Sequence, residues 1–508
     1  MLIGDILLAN GLVTKADVAA GLDRQKLQGG RLGDNLVALG RLKPEDLRAV
    51  MHSAPPLPRS LAETGITTTE LLNLAMKAMY SANAETASSL SAILKLSNSV
   101  VQLIIEQAKE RRLIGVLGAS GASMLSELRY ALSEKGKQWA VDALASNSYV
   151  GAAPVSLEAY KDRIQRQRLT NERISKEAVE RAFANMVMPE PFRRQIGPAV
   201  NSGRSILLYG APGNGKTSVA ERIGTVFNDI IYIPYCITVE GQIIKVFDPG
   251  IHVSVQNLSD ASPAGATLRR EEFDRRWVAC RRPFIVTGGE LTFDMLDLSF
   301  NDQARFYEAP LHIKALGGTF VIDDFGRQVV SPEALLNRWI VPLESRVEYL
   351  KLHTGKSFSL PFDELVVFST NLAPRDLMDP AFLRRIPYKL EVPAPTITEY
   401  RQIFKSVSHA MGIEASDEII DLVITELRER NDFPLAGFQP KFIIEQVRAA
   451  CKFEGIPDQF RPDFVMMALG NLYTKDTPGA GVRSETSGRS AMLGSAPVAH
   501  SAQSRDAA

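Results

Sequence analysis

Three cysteines in 508 residues, Cys236, Cys280 and Cys451, stand far apart and form no CxxC pair. That excludes a disulfide framework and a thiolate zinc site, and fits buried, reduced thiols in a cytosolic protein. The six histidines are scattered, with no HxxxH or Cys/His ligand spacing, so structural or surface roles are expected for them. Charge of one sign is also lacking. The 58 basic residues balance 58 acidic ones, so no global field draws the chain to nucleic acid or to a membrane surface. No apolar run approaches the ~18 residues of a membrane span; "VVQLIIEQAKERRLIGVLG" is broken by charges. The opening "MLIGDILLANG" has no basic region and carries Asp5, which argues against a signal peptide. A cytoplasmic location with no membrane insertion is expected. What the chain does have is 45% apolar residues, enough for real cores, and a length that predicts about three or more domains.

Periodicity divides the chain. Residues 1–54 hold an internal repeat in which "LIGDILLANG" is nearly restated 29 positions later as "RLGDNLVALG". Each copy reads as a short helix, a stop at Gly11 or Gly40, and a second helix opened by Thr14 or by Pro44 and Glu45. A proline-rich linker covers 55–68. Three helical pieces, "TTELLNLAMKAMYS", "TASSLSAILKL" and "SNSVVQLIIEQAKERR", precede two strand-like runs and a further helix, which is a winged-helix pattern over 69–150. A connector with a charged helix spans 151–189. Apolar strands then alternate with helices over 190–395, an α/β pattern, and 396–473 is helical again. The Gly/Ser/Ala/Thr-rich tail 474–508 has little apolar content and reads as disordered.

The chemistry concentrates in "SILLYGAPGNGKTSVAERI". Gly210, Ala211, Pro212, Gly213, Asn214, Gly215, Lys216 and Thr217, with Ser218 next, fit GxxxxGK[ST] between an apolar strand and a helix. Glycines let backbone N–H groups turn around phosphates, and the following helix presents its positive end to the same anion. Lys216 would reach the β- and γ-phosphates of ATP, and Thr217 would offer a hydroxyl to Mg²⁺. "GGTFVIDDFG" supplies the partner: a buried strand ending in Asp323, a metal ligand, and Asp324, which would polarise the attacking water. A third buried strand, "LVVFST", ends at Asn371, and Arg384 and Arg385 follow thirteen residues on.

As an ordered set over 190–473, these motifs resemble the AAA+ ATPases. The Gly317–Gly318 pair before the acidic strand also looks like the helix-two-insert and enhancer-binding branch. The resemblance implies that Asn371 helps to position the water and that Arg385, with Arg384 beside it, acts on a neighbouring subunit's nucleotide in a ring, with a hexamer expected. It also implies that Lys441, after Pro440 in a helical lid, contacts the nucleotide. The second acid is Asp rather than Glu, and the lid residue is Lys rather than Arg, a point charge rather than a planar fork. From Thr217 to Asp323 is 106 residues, and the surplus suggests an inserted hairpin. Arg275, Arg276, Arg281 and Arg282 in that stretch read as solvated or inter-subunit charge pairs.

The opening repeat resembles the N-terminal domain of type II secretion and type IV pilus ATPases, in which paired copies of this pattern bind cyclic di-GMP. Arg31, Leu32 and Gly33 match; the first copy has Leu2 where Arg is expected, and the second has Ala54 where Gln is expected. The alternative is two helical hairpins packed through their leucines. The middle helix of the winged-helix pattern carries Ser97, Asn98, Ser99 and Gln102 in its first turns and no Arg or Lys there, so a protein contact is favoured over DNA. The expected protein is a multidomain ATPase with an α/β P-loop core, a helical lid and two small N-terminal modules. It would form a homo-oligomer and act on a protein client. The alternatives are a DNA-associated regulator and a nucleotide switch that does not hydrolyse.

Overall fold

The computed structural model describes residues 7, 11–29, 32–52, 54–119, 127–227, 229–255, 273–377, 380–430 and 432–472. Arg31 and the 474–508 segment lie outside the described residues.

The N-terminal unit is all helical, with helices Lys15–Gln28, Leu32–Ala38 and Pro44–His52. Its repeat is structural. Gly11 and Gly40 both take left-handed backbone, with φ of +66° and +67°. The residue after each donates back to the matching leucine: Leu12 N to Leu7 O and Arg41 N to Leu36 O, both at 3.0 Å. The leucines that repeat, Leu7 and Leu36, are fully buried in a core with Val13, Leu32, Leu42 and Val50. Thr14 caps its helix through a box with Asp17.

Helices Thr68–Ser81, Ala87–Leu94 and Asn98–Glu110 precede an antiparallel pair, β1 (Ile114–Ala119) and β2 (Leu128–Leu132), and then helix Glu134–Ser146. Leu71, Leu72, Leu90, Leu94, Val100, Val101, Ile104 and Ile105 fill the core of this unit, on the faces that the 3.6-residue period assigns. No single helix among the described residues is long and apolar enough to cross a membrane.

The central sheet comprises β4 (Ile206–Tyr209), β9 (Phe284–Thr287), β12 (Thr319–Ile322), β15 (Leu365–Thr370) and β16 (Tyr388–Glu391). It is parallel, in the order β16-β4-β15-β12-β9. Both faces are covered, so β12 and β15 are buried at every position, as a parallel sheet with helices on both sides requires. Both neighbours of β4 are strands that come later in the chain, so the strand order reverses there and a crevice opens beyond its C-terminal end.

Between β4 and β9 the chain leaves this sheet. It forms β5 (Ile230–Pro234), paired with β8 (Trp277–Arg281), and the hairpin β6 (Cys236–Val239) and β7 (Gln242–Lys245). The hairpin turns at Glu240 and Gly241, with φ of +52° and +75°, as a tight two-residue loop needs. With β3 (Val155–Ser156), β10 (Ser299–Asn301) and β11 (Phe306–Glu308) it makes a second, five-stranded sheet. Cys236 and Ile243 from that hairpin belong to the same core as helices 68–110. Thr238 Oγ1 donates to Glu70 at 3.1 Å, and Ser148 N to Ala304 O at 2.9 Å. The unit over 68–146 is therefore packed directly on the insertion.

Two arginines read from sequence as solvated or inter-subunit charge pairs are buried within the chain here. Arg276 forks onto Asp274 and donates to Thr64 O (2.7 Å) and Pro154 O (3.0 Å). Arg282 pairs with Asp229 and donates to Gln167 O (2.9 Å) and Gly317 O (2.6 Å). A planar five-donor head can satisfy several buried carbonyls at once, which is why arginine is found there. Arg275 and Arg281 are exposed. All three cysteines are free and buried, and burial pushes the Cys236 and Cys280 thiols up to about 12.

The chain then forms a hairpin, β13 (Val347–Lys351) and β14 (Ser357–Pro361), between β12 and β15. After β16 helices Ile397–Ala410, Asp417–Ile424, Gln439–Glu454 and Pro462–Leu472 form a helical segment around its own core.

Candidate nucleotide site

The loop 210–215 joins β4 to helix Lys216–Thr225. Gly210, Gly213 and Gly215 have φ of +139°, +78° and +82°, where a side chain would strain the backbone. A Cβ on Gly210 would also stand 2.5 Å from Val392 O. The helix begins with no capping side chain, so the N–H groups of its first turn point into the crevice as a positive pole.

Lys216 and Thr217 open that helix beside the ends of two other strands. Lys216 Nζ donates to Gly210 O and Ala211 O, each at 3.0 Å, and to Asn371 Oδ1 at 2.6 Å. Burial lowers its pKa, and Asp323 and Asp324 partly offset this. Thr217 Oγ1 donates to Asp323 Oδ2 at 2.6 Å. Asn371, one residue past β15, faces both ways: its Oδ1 takes the Lys216 ammonium, and its Nδ2 donates to Asp324 Oδ1 at 3.3 Å. Asp324 sits in left-handed backbone, φ +49°, a conformation that Asp tolerates better than most residues. One connected set therefore joins β4, β12 and β15 at their C-terminal ends, and it includes Lys216, Thr217, Asp323, Asp324 and Asn371.

An apolar cleft continues from the loop. Met186, Met188, Pro189, Phe192, Val392, Pro393 and Pro395 line it, with Asn214, Glu399, Ile403 and Gly437. Asn214 Nδ2 is buried with no hydrogen-bond partner among the described residues. The helical segment after β16 meets the loop here: Phe438 N donates to Gly213 O at 2.9 Å, and Gly437 N to Asn214 Oδ1 at 3.4 Å. An apolar cleft with an unused amide donor thus lies beside a glycine loop, a helix N-terminus and two oxygen ligands, the kinds of group that a nucleoside triphosphate and its divalent cation would require. Sequence reading missed the cleft because its walls come from four separated stretches. The apolar and proline-rich runs "MVMPEPF" and "VPAP" were the available signal.

The remaining expected residues are placed differently. Lys441 is exposed, and among the described residues its ion pair is with Glu445, at 3.8 Å. Arg385 Nε donates to Glu344 at 2.6 Å, and its guanidinium lies over the Phe382 ring. Arg384 is exposed. In the N-terminal repeat Leu32 is 9% exposed, and the place of a Cβ on Gly33 is filled by Leu47 Cδ1 at 2.8 Å. Both residues lie in the helix contact and not on an open floor. Among the described residues no group of three His, Cys, Asp or Glu could hold a metal on its own.

A family model described as a domain of unknown function, DUF8689, matches residues 396–471, the helical segment after β16. Among solved structures, the RuvB Holliday junction branch migration motor of Thermotoga maritima is 17% identical over 56% of this chain and 70% of its own, with a TM-score of 0.31. NtrX from Brucella abortus is 13% identical over 60% of this chain and 58% of its own, with a TM-score of 0.36. Neither likeness bears on activity.

Proposed function

We propose that this chain is a Mg²⁺-dependent ATPase of the AAA+ type. The observation that supports this reading is the set of bonds from Lys216 through Asn371 to Asp324, with Thr217 on Asp323 beside it. Thr217 and Asp323 are the two oxygen ligands suited to Mg²⁺, whose charge would neutralise the phosphate oxygens. In hydrolysis water attacks the γ-phosphorus, the bond to the β,γ-bridging oxygen breaks, and ADP and phosphate leave. Asp324 accepts a hydrogen bond from that water, and Asn371 orients Asp324. Lys216 exchanges the loop carbonyls for phosphate oxygens when the nucleotide enters.

A ring of identical subunits, a hexamer, is part of the proposal. Of the two arginines, Arg384 is the one open to a neighbouring copy, because Arg385 is engaged by Glu344. The work done would be remodelling of a protein partner, carried by the unit over 68–146 that packs on the insertion. Its helix Asn98–Glu110 turns Asn98, Ser99, Gln102 and Glu106 outward, which suits protein better than a phosphate backbone. The packing of Leu32 and Gly33 gives no support to a cyclic di-GMP site in the repeat.

Nucleotide binding and steady-state phosphate release test the reading together. Asp324→Asn should bind ATP with affinity close to the parent's while turnover drops by about 10²–10⁴-fold. Lys216→Ala should lose both. Wild-type turnover in Asp324→Asn would mean that Asp324 does not polarise the attacking water.

A further inference from the structure

The turn that carries Asp324 is bridged by a residue outside every motif. Gln328 reaches back across it with both ends of its amide. Its Nε2 donates to Asp323 O at 2.8 Å, and its Oε1 accepts from Gly326 N at 2.8 Å. These two backbone groups flank Asp324–Phe325, so one side chain bridges the turn from either side. Within the bridge Asp324 stays in left-handed backbone (φ +49°) and Gly326 takes φ +105°. The other side of the turn is fastened to the sheet: Phe325 N donates to Ser369 O at 2.7 Å, and Thr370 Oγ1 donates to Phe325 O at 2.7 Å. Asp324 itself is exposed. Among the described residues, the one hydrogen bond its carboxylate accepts from another side chain is the 3.3 Å bond from Asn371.

We infer that Gln328 is a positioning residue that sets the reach of Asp324 toward the attacking water. The inference rests on the ATPase reading above. An aspartate is one methylene shorter than a glutamate at the same place, so its carboxylate reaches a given point only if the backbone advances it. The left-handed turn does this, and for a non-glycine residue that turn persists only where its surroundings fix it. Freed from Gln328, the Asp323 carbonyl and the Gly326 N–H can turn to water. Asp324 then relaxes toward ordinary backbone, and its carboxylate leaves Asn371. Phosphate binding, which depends on Lys216 and the 210–215 loop, does not involve Gln328.

The test compares Gln328→Ala and Gln328→Glu with the full-length parent. Gln328→Ala should lower kcat by about 10-fold or more while ATP KM and ATP affinity stay within about twofold. In Gln328→Glu the carboxylate keeps the acceptor for Gly326 N–H but cannot donate to Asp323 O. Its kcat should therefore fall less than that of Gln328→Ala, again with ATP KM near the parent's. A residue that only stabilised the fold would lower the amount of active protein and would not give this graded fall in kcat at unchanged KM and Tm. Parent-like kcat in Gln328→Ala, or a fall in kcat matched by the loss of folded protein, overturns the inference and leaves the ATPase reading standing. A parent that binds ATP without Mg²⁺-dependent release of phosphate overturns both.

Discussion

Two acidic pairs stand on neighbouring strands of the central sheet, at its opposite ends. Asp323 and Asp324 follow β12; Asp363 and Glu364 precede β15, which pairs with β12 in parallel register. In sequence the second pair, in "PFDELVVFST", stands ahead of its strand rather than after it. In the fold they differ in every respect that matters. The first pair opens to the crevice, and its carboxylates meet Thr217 and Asn371. The second is buried, 8% and 1% exposed; Asp363 accepts from Leu169 N at 3.0 Å, and neither carboxylate oxygen of Glu364 has a hydrogen-bond partner among the described residues. Parallel strands send their C-terminal ends toward the phosphate loop and their N-terminal ends away from it. Which side of a strand an acid falls on therefore decides whether it can serve chemistry.

The largest effect should come from breaking the first pair. Asp323→Ala removes the carboxylate that meets Thr217, and phosphate release should drop by about 10²–10³-fold with its Mg²⁺ dependence flattened. Glu364→Gln, at the other end of the sheet, should change turnover less than about twofold. Mg²⁺-dependent turnover surviving in Asp323→Ala would erase the distinction between the two ends.

Much of the site was legible because its information is local. The loop 210–217 needs only glycine spacing between a strand and a helix, and Asp323 needs only a buried strand that stops. Asn371 follows from the same rule applied to β15. The helices at 68–81 and 98–110 were legible for another local reason: their apolar faces repeat every 3.6 residues. What stayed hidden depends on long-range partners. Arg276 and Arg282 look like surface charges until Thr64, Pro154 and Gln167 arrive from more than 100 residues away. Gln328 carries no pattern because its two bonds are to backbone atoms. Glycine itself is ambiguous in sequence. Gly213 is required by a left-handed φ of +78°, whereas Gly21 sits in a helix because a Cβ there would meet Leu32 Cδ1 at 2.7 Å.

A smaller effect should follow from Asp363, and on stability rather than turnover. Its carboxylate is the acceptor for the buried Leu169 N–H, and Arg282, Arg168 and Arg346 lie close enough to oppose the rise in its pKa that burial causes. Asp363→Ala leaves that amide without a partner, a loss of about 1–3 kcal/mol. Urea unfolding should show it, while ATP affinity stays at the parent value. A shift in ATP affinity as large as that of Asp323→Ala would mean that the two ends are coupled.

The smallest effect, and the one whose sign is most informative, belongs to Glu364. Burial raises its pKa well above the ordinary carboxylate value, the charge on Glu348 adds to the rise, and Arg346 opposes it. The folded protein thus holds this proton more tightly than the unfolded chain does, whose value is about 4.3. The associated stability is fully present below about pH 4.3 and is lost as pH rises through the raised folded pKa. Glu364→Gln keeps the shape and cannot ionise. Its Tm should equal the parent's near pH 4, where both side chains are neutral. It should exceed the parent's at pH 8 by on the order of 1–4 °C, with the gap opening as pH rises. Equal Tm values at both pH extremes would mean that Glu364 ionises in the fold at little cost, and the contrast between the two acidic pairs would then be one of position alone.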